Sequence, residues 1–208
     1  MIRQLELVAA LEKEATLDIQ TMVGASRDER ALSGPAFAVR KRLPWLQINL
    51  LTAGVAASVV GLFESTIAQF TALAILMPMV AGQSGNAGAQ SLAVTMRGLA
   101  LREISTRHWF RVLFKETKVG IINGIAVAAT TALGVLVWSQ STGLALVIAI
   151  AMVVSLAIAS VAGSVIPIAL TRLGQDPAQS STIILTTITD IAGFFSFLGI
   201  ATLLANLL

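Results

Sequence analysis

Polar and apolar residues are segregated into long blocks along this chain. Five mainly apolar segments alternate with short polar stretches, and each is close to or above the ~20 residues that a helix needs to cross a bilayer. The segments are residues 45–63, 69–96, 117–138, 144–171 and 177–207. Backbone amides in hydrocarbon must be hydrogen-bonded within their own segment, so we expect each segment to be helical. The pattern therefore predicts an all-α, polytopic membrane protein with five transmembrane helices.

The composition supports this class and excludes several others. Apolar residues make up 56% of the chain and charged residues 12%, whereas soluble domains contain about 25% charged residues. A water-soluble enzyme and a disordered chain are both excluded on this basis. The absence of cysteine and the single histidine exclude thiolate metal sites and histidine clusters. An intramembrane enzyme would need a second acid, a histidine or a serine–lysine pair within the segments, so we expect no enzymatic activity.

The basic residues indicate the orientation in the membrane. All fourteen lie in the N-terminal arm, in the loop after the second segment and in the loop after the fourth. Five crossings would place these three regions on one side. The excess of Lys and Arg there predicts a cytoplasmic N-terminus and an external C-terminus. We interpret the basic clusters as topology signals and contacts with the lipid bilayer, and we expect no nucleic-acid partner.

The fifth segment contains an acidic residue at a depth where ionised side chains are costly. Asp190 lies 13 residues after Pro177, which is about 20 Å along a helix. A carboxylate there costs at least about 2.5 kcal/mol unless it meets water, a cation or a partner. Thr182 and Thr186 precede it at intervals of four, and Gly193 continues this stripe. Asp190 is therefore either a protonated acid bonded to a neighbouring helix or a carboxylate facing a hydrated path for a cation or proton.

The second segment carries a run of small and amide side chains in residues 82–91, one turn after Pro78. The amides share one helical face and are Gln83, Asn86 and Gln90. Glycines that leave room for close backbone approach recur at Gly82, Gly85 and Gly88. Proline and glycine together predict a bend or local unwinding here. The run indicates either tight helix packing with polar contacts or oxygen ligands for a small divalent cation.

The run from Pro78 to Ser91, with its core Gly85-Asn86-Ala87-Gly88-Ala89-Gln90-Ser91, resembles the MgtE family of magnesium channels and transporters. Further matching motifs are Arg42-Leu43-Pro44-Trp45-Leu46, Gly61-Leu62-Phe63-Glu64, Arg97-Gly98-Leu99-Ala100, Asp176-Pro177-Ala178 and the positions Thr186, Thr187 and Asp190. The resemblance extends from about Glu14 to the end of the chain. One departure is Ser84, which stands where the family pattern has a glycine.

The resemblance implies a homodimer of five-helix units in the bacterial inner membrane, with a pore along the dimer interface. Asp190 aligns with the pore carboxylate of the family, which helps to hold a hydrated Mg²⁺. Magnesium releases its water reluctantly, so two carboxylates related by a two-fold axis suit its water shell. The resemblance does not distinguish Mg²⁺ from Mn²⁺ or Co²⁺. Five segments also argue against two equal inverted halves in one chain, so a pore between identical subunits is the simplest arrangement.

Two regions are expected. Residues 1–33 resemble the end of a connecting plug helix with an amphipathic lead-in, and residues 34–208 form the transmembrane pore domain. The large cytosolic sensor part of the family has no counterpart here, so we expect either a fragment or a naturally short member. Acidic residues of the first region are candidates for gating, or they form a solvated helix face: Glu12, Glu14 and Asp18.

The leading hypothesis is Mg²⁺ transport with Asp190 as the metal-binding residue. The residues expected to line or support the pore are Thr182, Thr186, Asn86, Gln90, Gly85 and Gly193. Glu64 is a candidate for the outer mouth. The alternatives are a proton- or sodium-coupled carrier in which Asp190 titrates, and a purely structural membrane subunit.

Overall fold

The computed structural model describes residues 25–26, 28–175 and 177–208, without the side chains of 178–180. Residues 1–24 and 27 of the predicted plug-helix remnant, and with them the gating candidates Glu12, Glu14 and Asp18, lie outside the described residues. The described part of that region, residues 25–26 and 28–33, is not helical. The described residues form five long helices and one short helix. These are α1 (Pro35–Gly61), α2 (Glu64–Gln69), α3 (Ala72–Ala100), α4 (Trp109–Ser139), α5 (Thr142–Arg172) and α6 (Pro177–Leu203). Single 3₁₀ turns at Thr106–His108 and Ala205–Leu207 complete the elements.

Four of these helices have the length and composition to cross a membrane. They are Pro35–Gly61, Thr106–Ser139, Thr142–Arg172 and Ser181–Leu203. Helix α3 has 29 residues and, at ~1.5 Å per residue, is also long enough to cross a bilayer. It is not among the four helices because the amides, serines and glycines of residues 82–91 lower its mean hydropathy. The all-helical, multi-pass prediction is confirmed for the described part of the chain, and the fifth crossing is not confirmed.

The outer surface of the helices is apolar, as a lipid environment requires. Large hydrophobic side chains are exposed along α1 and α4, and examples are Leu50, Leu51, Ile122, Leu133 and Val137. Soluble monomers rarely expose apolar patches of this extent. In α1 only Ala56 is buried, so nearly the whole circumference of this helix is available to lipid or to another polypeptide.

Helix α5 is the centre of the bundle and packs against α3, α4 and α6. Small residues allow the backbones to approach, which is how membrane helices gain packing energy. A Cβ built on Gly120 of α4 would lie 2.9 Å from Cα of Ala157, and one on Gly124 would lie 2.8 Å from Cα of Val153. On the other side of α5, a Cβ on Gly163 would overlap the carbonyl oxygen of Gly88. The helices are thus held together by direct backbone contact at glycines.

Helix α3 continues without interruption through Pro78 and the glycine run. The prediction of local unwinding in residues 82–91 is therefore wrong. The physical reason lies in the packing: Pro78 is in the second turn of α3, and the glycine-rich part is supported by α5 and α6 on its buried side, where Ser84 and Gly88 lie.

Candidate functional site

Asp190 lies in α6 and is partly exposed, while its neighbour Thr189 is buried. Among the side chains that the structure describes, none forms a hydrogen bond or ion pair with the Asp190 carboxylate. A dry, unpartnered carboxylate at this depth is costly, whereas water or a cation beside it removes most of the cost. The position therefore favours a carboxylate in contact with water or an ion over one bonded to a neighbouring helix.

The predicted stripe on α6 is found on one side of the helix. Thr182, Thr186 and Asp190 are all half-buried, and Gly193 is buried one turn further on. The hydroxyl of Thr186 donates to the carbonyl oxygen of Ile183 at 3.0 Å. Its oxygen can still accept a hydrogen bond, since a hydroxyl has two lone pairs. The hydroxyl oxygen of Thr186 is thus available as a hydrogen-bond acceptor one helical turn before the Asp190 carboxylate.

Helix α6 contacts α3 directly on both sides of Asp190 in the sequence. A Cβ on Gly193 would lie 3.3 Å from Oγ of Ser84, and a Cβ on Gly88 would lie 3.2 Å from Cγ2 of Thr189. Ser84 is completely buried and donates to the carbonyl oxygen of Ala81 at 3.0 Å. The serine that departs from the family pattern therefore lies at the contact between α3 and α6, against Gly193, which follows Asp190 by three residues.

The three amides of α3 lie on a different face of that helix. Gln83, Asn86 and Gln90 are exposed and line a groove of about 170 Å³. Asn123 of α4 lines the same groove, together with Ala87, Ala126, Val127 and Leu156. This lining is drawn from α3, α4 and α5. The structure therefore brings the predicted residues Asn86 and Gln90 together with Asn123, and places Gly193 against Ser84 at a separate contact.

Asn123 was missed by the sequence analysis. It is the single amide within the apolar segment 117–138, and the polar residues Glu116 and Thr130 lie seven positions before and after it. A spacing of seven places all three on one face of a helix, and this spacing was the signal that the sequence offered. The structure shows that it is the fourth carboxamide of the α3–α4 groove.

Glu116 was also missed, because the third predicted segment begins one residue later. Helix α4 begins at Trp109, so Glu116 lies in its third turn, where it is buried with an exposed fraction of 3%. Ser91 of α3 donates a hydrogen bond of 2.6 Å to one carboxylate oxygen, and Lys115 is ion-paired with the other. This buried acid is satisfied, unlike Asp190, and it links α3 to α4.

The remaining predicted residues are more exposed. Gly85 is half-buried, and a Cβ at Gly82 or Gly85 would have no atom within 4 Å. Close backbone approach is thus found at Gly88 among the described residues, whereas Gly82 and Gly85 point away from α5 and α6, and the expectation stays a prediction there. Glu64 is exposed in the first turn of α2. It lies near the end of the bundle at which Thr66 is hydrogen-bonded to Thr202 at 3.0 Å.

A complete metal site is not present among the residues that the structure describes. No group of three or more His, Cys, Asp or Glu side chains that could hold a metal ion occurs in the described part of the chain. A bare ion would need about six ligands, whereas a hydrated Mg²⁺ needs only one or two carboxylates against its water shell. The Asp190 region is chemically suited to the second situation.

Comparison with known proteins gives a consistent result. The family model of MgtE, described as a divalent cation transporter, matches residues 77–200. The chain is 33% identical to the magnesium transporter MgtE of Bacillus subtilis over 197 residues, which are 95% of this chain and 44% of that protein. The corresponding protein of Enterococcus faecalis is 33% identical over 199 residues, again 95% of this chain and 44% of the relative.

A third relative, the magnesium transporter MgtE of Thermus thermophilus, is 34% identical over 201 residues, or 96% of this chain and 44% of that protein. The chain thus spans less than half the length of these curated relatives. The residues matched by the family model are more than half of the chain, and they include the amide run of α3, Glu116 and Asp190. The resemblance identified from the motifs is confirmed, and the chain belongs to the MgtE family of divalent cation transporters.

Proposed function

We propose that this chain transports Mg²⁺ across the bacterial inner membrane through a homodimeric, channel-like pore, with the hydrated ion held by Asp190 of both subunits. The observation that carries the proposal is the half-buried Asp190 carboxylate, which has no partner among the described side chains. A passing hydrated cation removes the cost of this charge. The names of the three relatives, all magnesium transporters, support Mg²⁺ as the ion.

The proposed homodimer supplies a second carboxylate, which one subunit lacks. A single carboxylate provides one negative charge, whereas a pair related by a two-fold axis matches a divalent ion and repels itself when empty. That repulsion favours a divalent over a monovalent cation. The amide groove of Gln83, Asn86, Gln90 and Asn123 supports the same arrangement, because exposed carboxamides are unfavourable against lipid chains and suit another subunit or water.

The proposed topology includes α3 as the fifth crossing. Its 29 residues span about 43 Å, and it packs along α5, which itself has membrane-crossing length. Its polar run is tolerated because this part faces helices or a hydrated path and not lipid. Five crossings then place the N-terminus in the cytoplasm and the C-terminus outside.

The supporting roles follow from this pore. Thr182 and Thr186 line the path beside Asp190 on α6, Gly193 supports it from its contact with Ser84, and Gly85, Asn86 and Gln90 contribute from α3. Glu64 lies at the outer mouth. The acidic residues Glu12, Glu14 and Asp18 contribute to gating from the cytoplasm. The same oxygen groups would accept Mn²⁺ or Co²⁺, since selection acts on a hydrated ion.

Divalent-ion flux into proteoliposomes tests the proposal, with Mg²⁺, Mn²⁺, Ca²⁺ and Na⁺ compared. We expect Asp190→Asn and Asp190→Ala to reduce Mg²⁺ flux at least about tenfold, which corresponds to about 1.4 kcal/mol. Dimer assembly in detergent should persist in both variants. Glu103→Gln is the matched control, because it removes one carboxylate from an exposed loop position, and its flux should equal that of the unmodified chain.

The outcomes separate the two functional candidates. Unchanged Mg²⁺ flux in Asp190→Asn would refute the proposed ion site. A flux that follows an imposed proton or sodium gradient, and an Asp190→Asn protein that no longer responds to that gradient, would establish the coupled carrier. The half-buried, unpartnered carboxylate also suits such a titrating role, which is why the gradient belongs in the same experiment.

A further inference from the structure

The end of the bundle formed by the C-terminus of α5 contains a groove of about 270 Å³. Trp109, the first residue of α4, forms one wall, and the last turns of α5 form the other. The residues from α5 and its C-terminal end are Val165, Ile168, Ala169, Arg172 and Leu173. The walls are almost wholly apolar, and Arg172 is the charged residue of the lining. We refer to this feature as the Arg172 groove.

Among the residues that the structure describes, Arg172 is held in position without a neutralising acid. Its guanidinium donates a hydrogen bond of 2.5 Å to the carbonyl oxygen of Thr106, and its Cζ lies 5.7 Å from the centroid of the Trp109 ring. No carboxylate among the described residues is paired with it. A guanidinium has five N–H donors, so several remain available to a ligand. The residue is exposed, which makes these donors accessible.

The interaction of Arg172 with its own helix end does not account for the groove. A cation in the last turn of a helix interacts favourably with the helix dipole, and the hydrogen bond to Thr106 connects α5 to the 3₁₀ turn. Neither interaction requires an apolar cavity beside the guanidinium. A ligand with an anionic group and a long apolar part would bind the Arg172 guanidinium and the apolar walls of the groove at once.

The position in the bundle suits a phospholipid. Tryptophan at the end of a membrane helix lies at the level of the headgroups, and the loop preceding Trp109 carries further basic residues, Arg102 and Arg107. A phosphate oxygen accepts charge-assisted hydrogen bonds from a guanidinium. An acyl chain would then lie along Val165, Ile168 and Ala169. Basic pockets between membrane helices are suited to anionic lipid headgroups in this way.

We propose that the Arg172 groove binds one anionic phospholipid, with its phosphate on the Arg172 guanidinium and part of one acyl chain along α5. Free phosphate would leave the apolar walls unused, and a phospholipid without net charge would leave the arginine charge uncompensated. The proposal is independent of the transport mechanism, because the groove is lined by neither Asp190 nor the amides of α3.

Fluorescence quenching by brominated lipids tests this site, since Trp109 forms its wall. The chain has three tryptophans, so the background Trp45→Phe/Trp138→Phe leaves Trp109 as the only emitter. The protein is reconstituted in phosphatidylcholine vesicles containing an equal fraction of either brominated phosphatidylglycerol or brominated phosphatidylcholine. We expect the brominated anionic lipid to associate about fivefold more strongly, the effect of one basic residue at a membrane surface.

Two substitutions in that background identify the groove. Arg172→Gln should abolish the preference for the anionic lipid. Arg107→Gln removes the same charge from the adjacent 3₁₀ turn, outside the groove lining, and should retain the preference. Equal quenching by the two lipids, or an undiminished preference in Arg172→Gln, would overturn the proposal.

A competition measurement keeps the test valid if Arg172→Gln fails to fold. The brominated phosphatidylglycerol fraction is held constant while unlabelled phosphatidylcholine is replaced by unlabelled phosphatidylglycerol. Relief of Trp109 quenching supports a specific anionic-lipid site, and quenching that stays constant overturns it. Arg172→Lys keeps the charge but loses the planar pair of donors, so its preference for the anionic lipid should be intermediate. A preference as strong as that of the unmodified arginine would contradict the proposed contact between the guanidinium and the phosphate.

Discussion

Alanine at Gly124 is expected to destabilise the packing of α4 on α5 by about 1–3 kcal/mol. An ideal Cβ there would lie 2.8 Å from Cα of Val153 and 3.2 Å from its carbonyl oxygen. Carbon atoms in contact lie about 3.5–4.0 Å apart, so the two helices would have to separate by about 1 Å. The obstructing atoms belong to the backbone and cannot rotate away. The separation would weaken the contacts of buried neighbours along both helices.

Gly134→Ala is the matched control, because Gly134 lies in the same helix and a Cβ there would have no atom within 4 Å. Its stability should be unchanged or higher by up to about 1 kcal/mol, since alanine is the better helix former. Both proteins would be unfolded in detergent micelles by titration with sodium dodecyl sulfate, and the loss of helix would be followed by far-UV circular dichroism. Equal midpoints for Gly124→Ala and Gly134→Ala would refute the backbone contact between α4 and α5.

Two further predictions use the same titration. Gly163→Ala should lower stability at least as much as Gly124→Ala, because its Cβ would overlap the carbonyl oxygen of Gly88; an unchanged midpoint would contradict this contact. Glu116→Ala should cost about 1–3 kcal/mol, since it leaves the buried Ser91 hydroxyl without its acceptor. Glu116→Gln keeps an acceptor oxygen for Ser91 and should cost less. An equal loss in the two variants would show that the charge, which both remove, matters more than the hydrogen bond.

The hydropathy pattern located the helices well and their ends less well. The predicted segment 144–171 corresponds to α5, Thr142–Arg172, and 69–96 corresponds to α3, Ala72–Ala100. Helix α1 begins about ten residues and helix α4 about eight residues earlier than the predicted segments 45–63 and 117–138. Both early stretches contain Arg and Lys. Hydropathy ends a segment at the first charges, whereas the helix continues because Lys and Arg are good helix formers whose long side chains reach water.

Helical spacing also predicted which site residues share a face. Gln83, Asn86 and Gln90 line one groove, as their spacing indicated. Their neighbour Asn123 recurs with Glu116 and Thr130 at intervals of seven, but spacing within one helix does not show which other helix this face meets. The burial of Glu116 was missed for a related reason: only contact with Ser91 of α3 distinguishes it from the other charged residues of the loop and the start of α4.

The amino-acid order alone was sufficient for the helical membrane class, the approximate helix positions and the place of Asp190 along its helix, because hydrocarbon permits few backbone structures and the rise of a helix is constant. The rotation of each helix about its axis and its choice of neighbours emerged only on packing. Ser84 and Gly88 face α5 and α6 while the amides of α3 face α4. This arrangement depends on the sizes of side chains on several helices at once, and the glycines that let backbones touch select one packing among many.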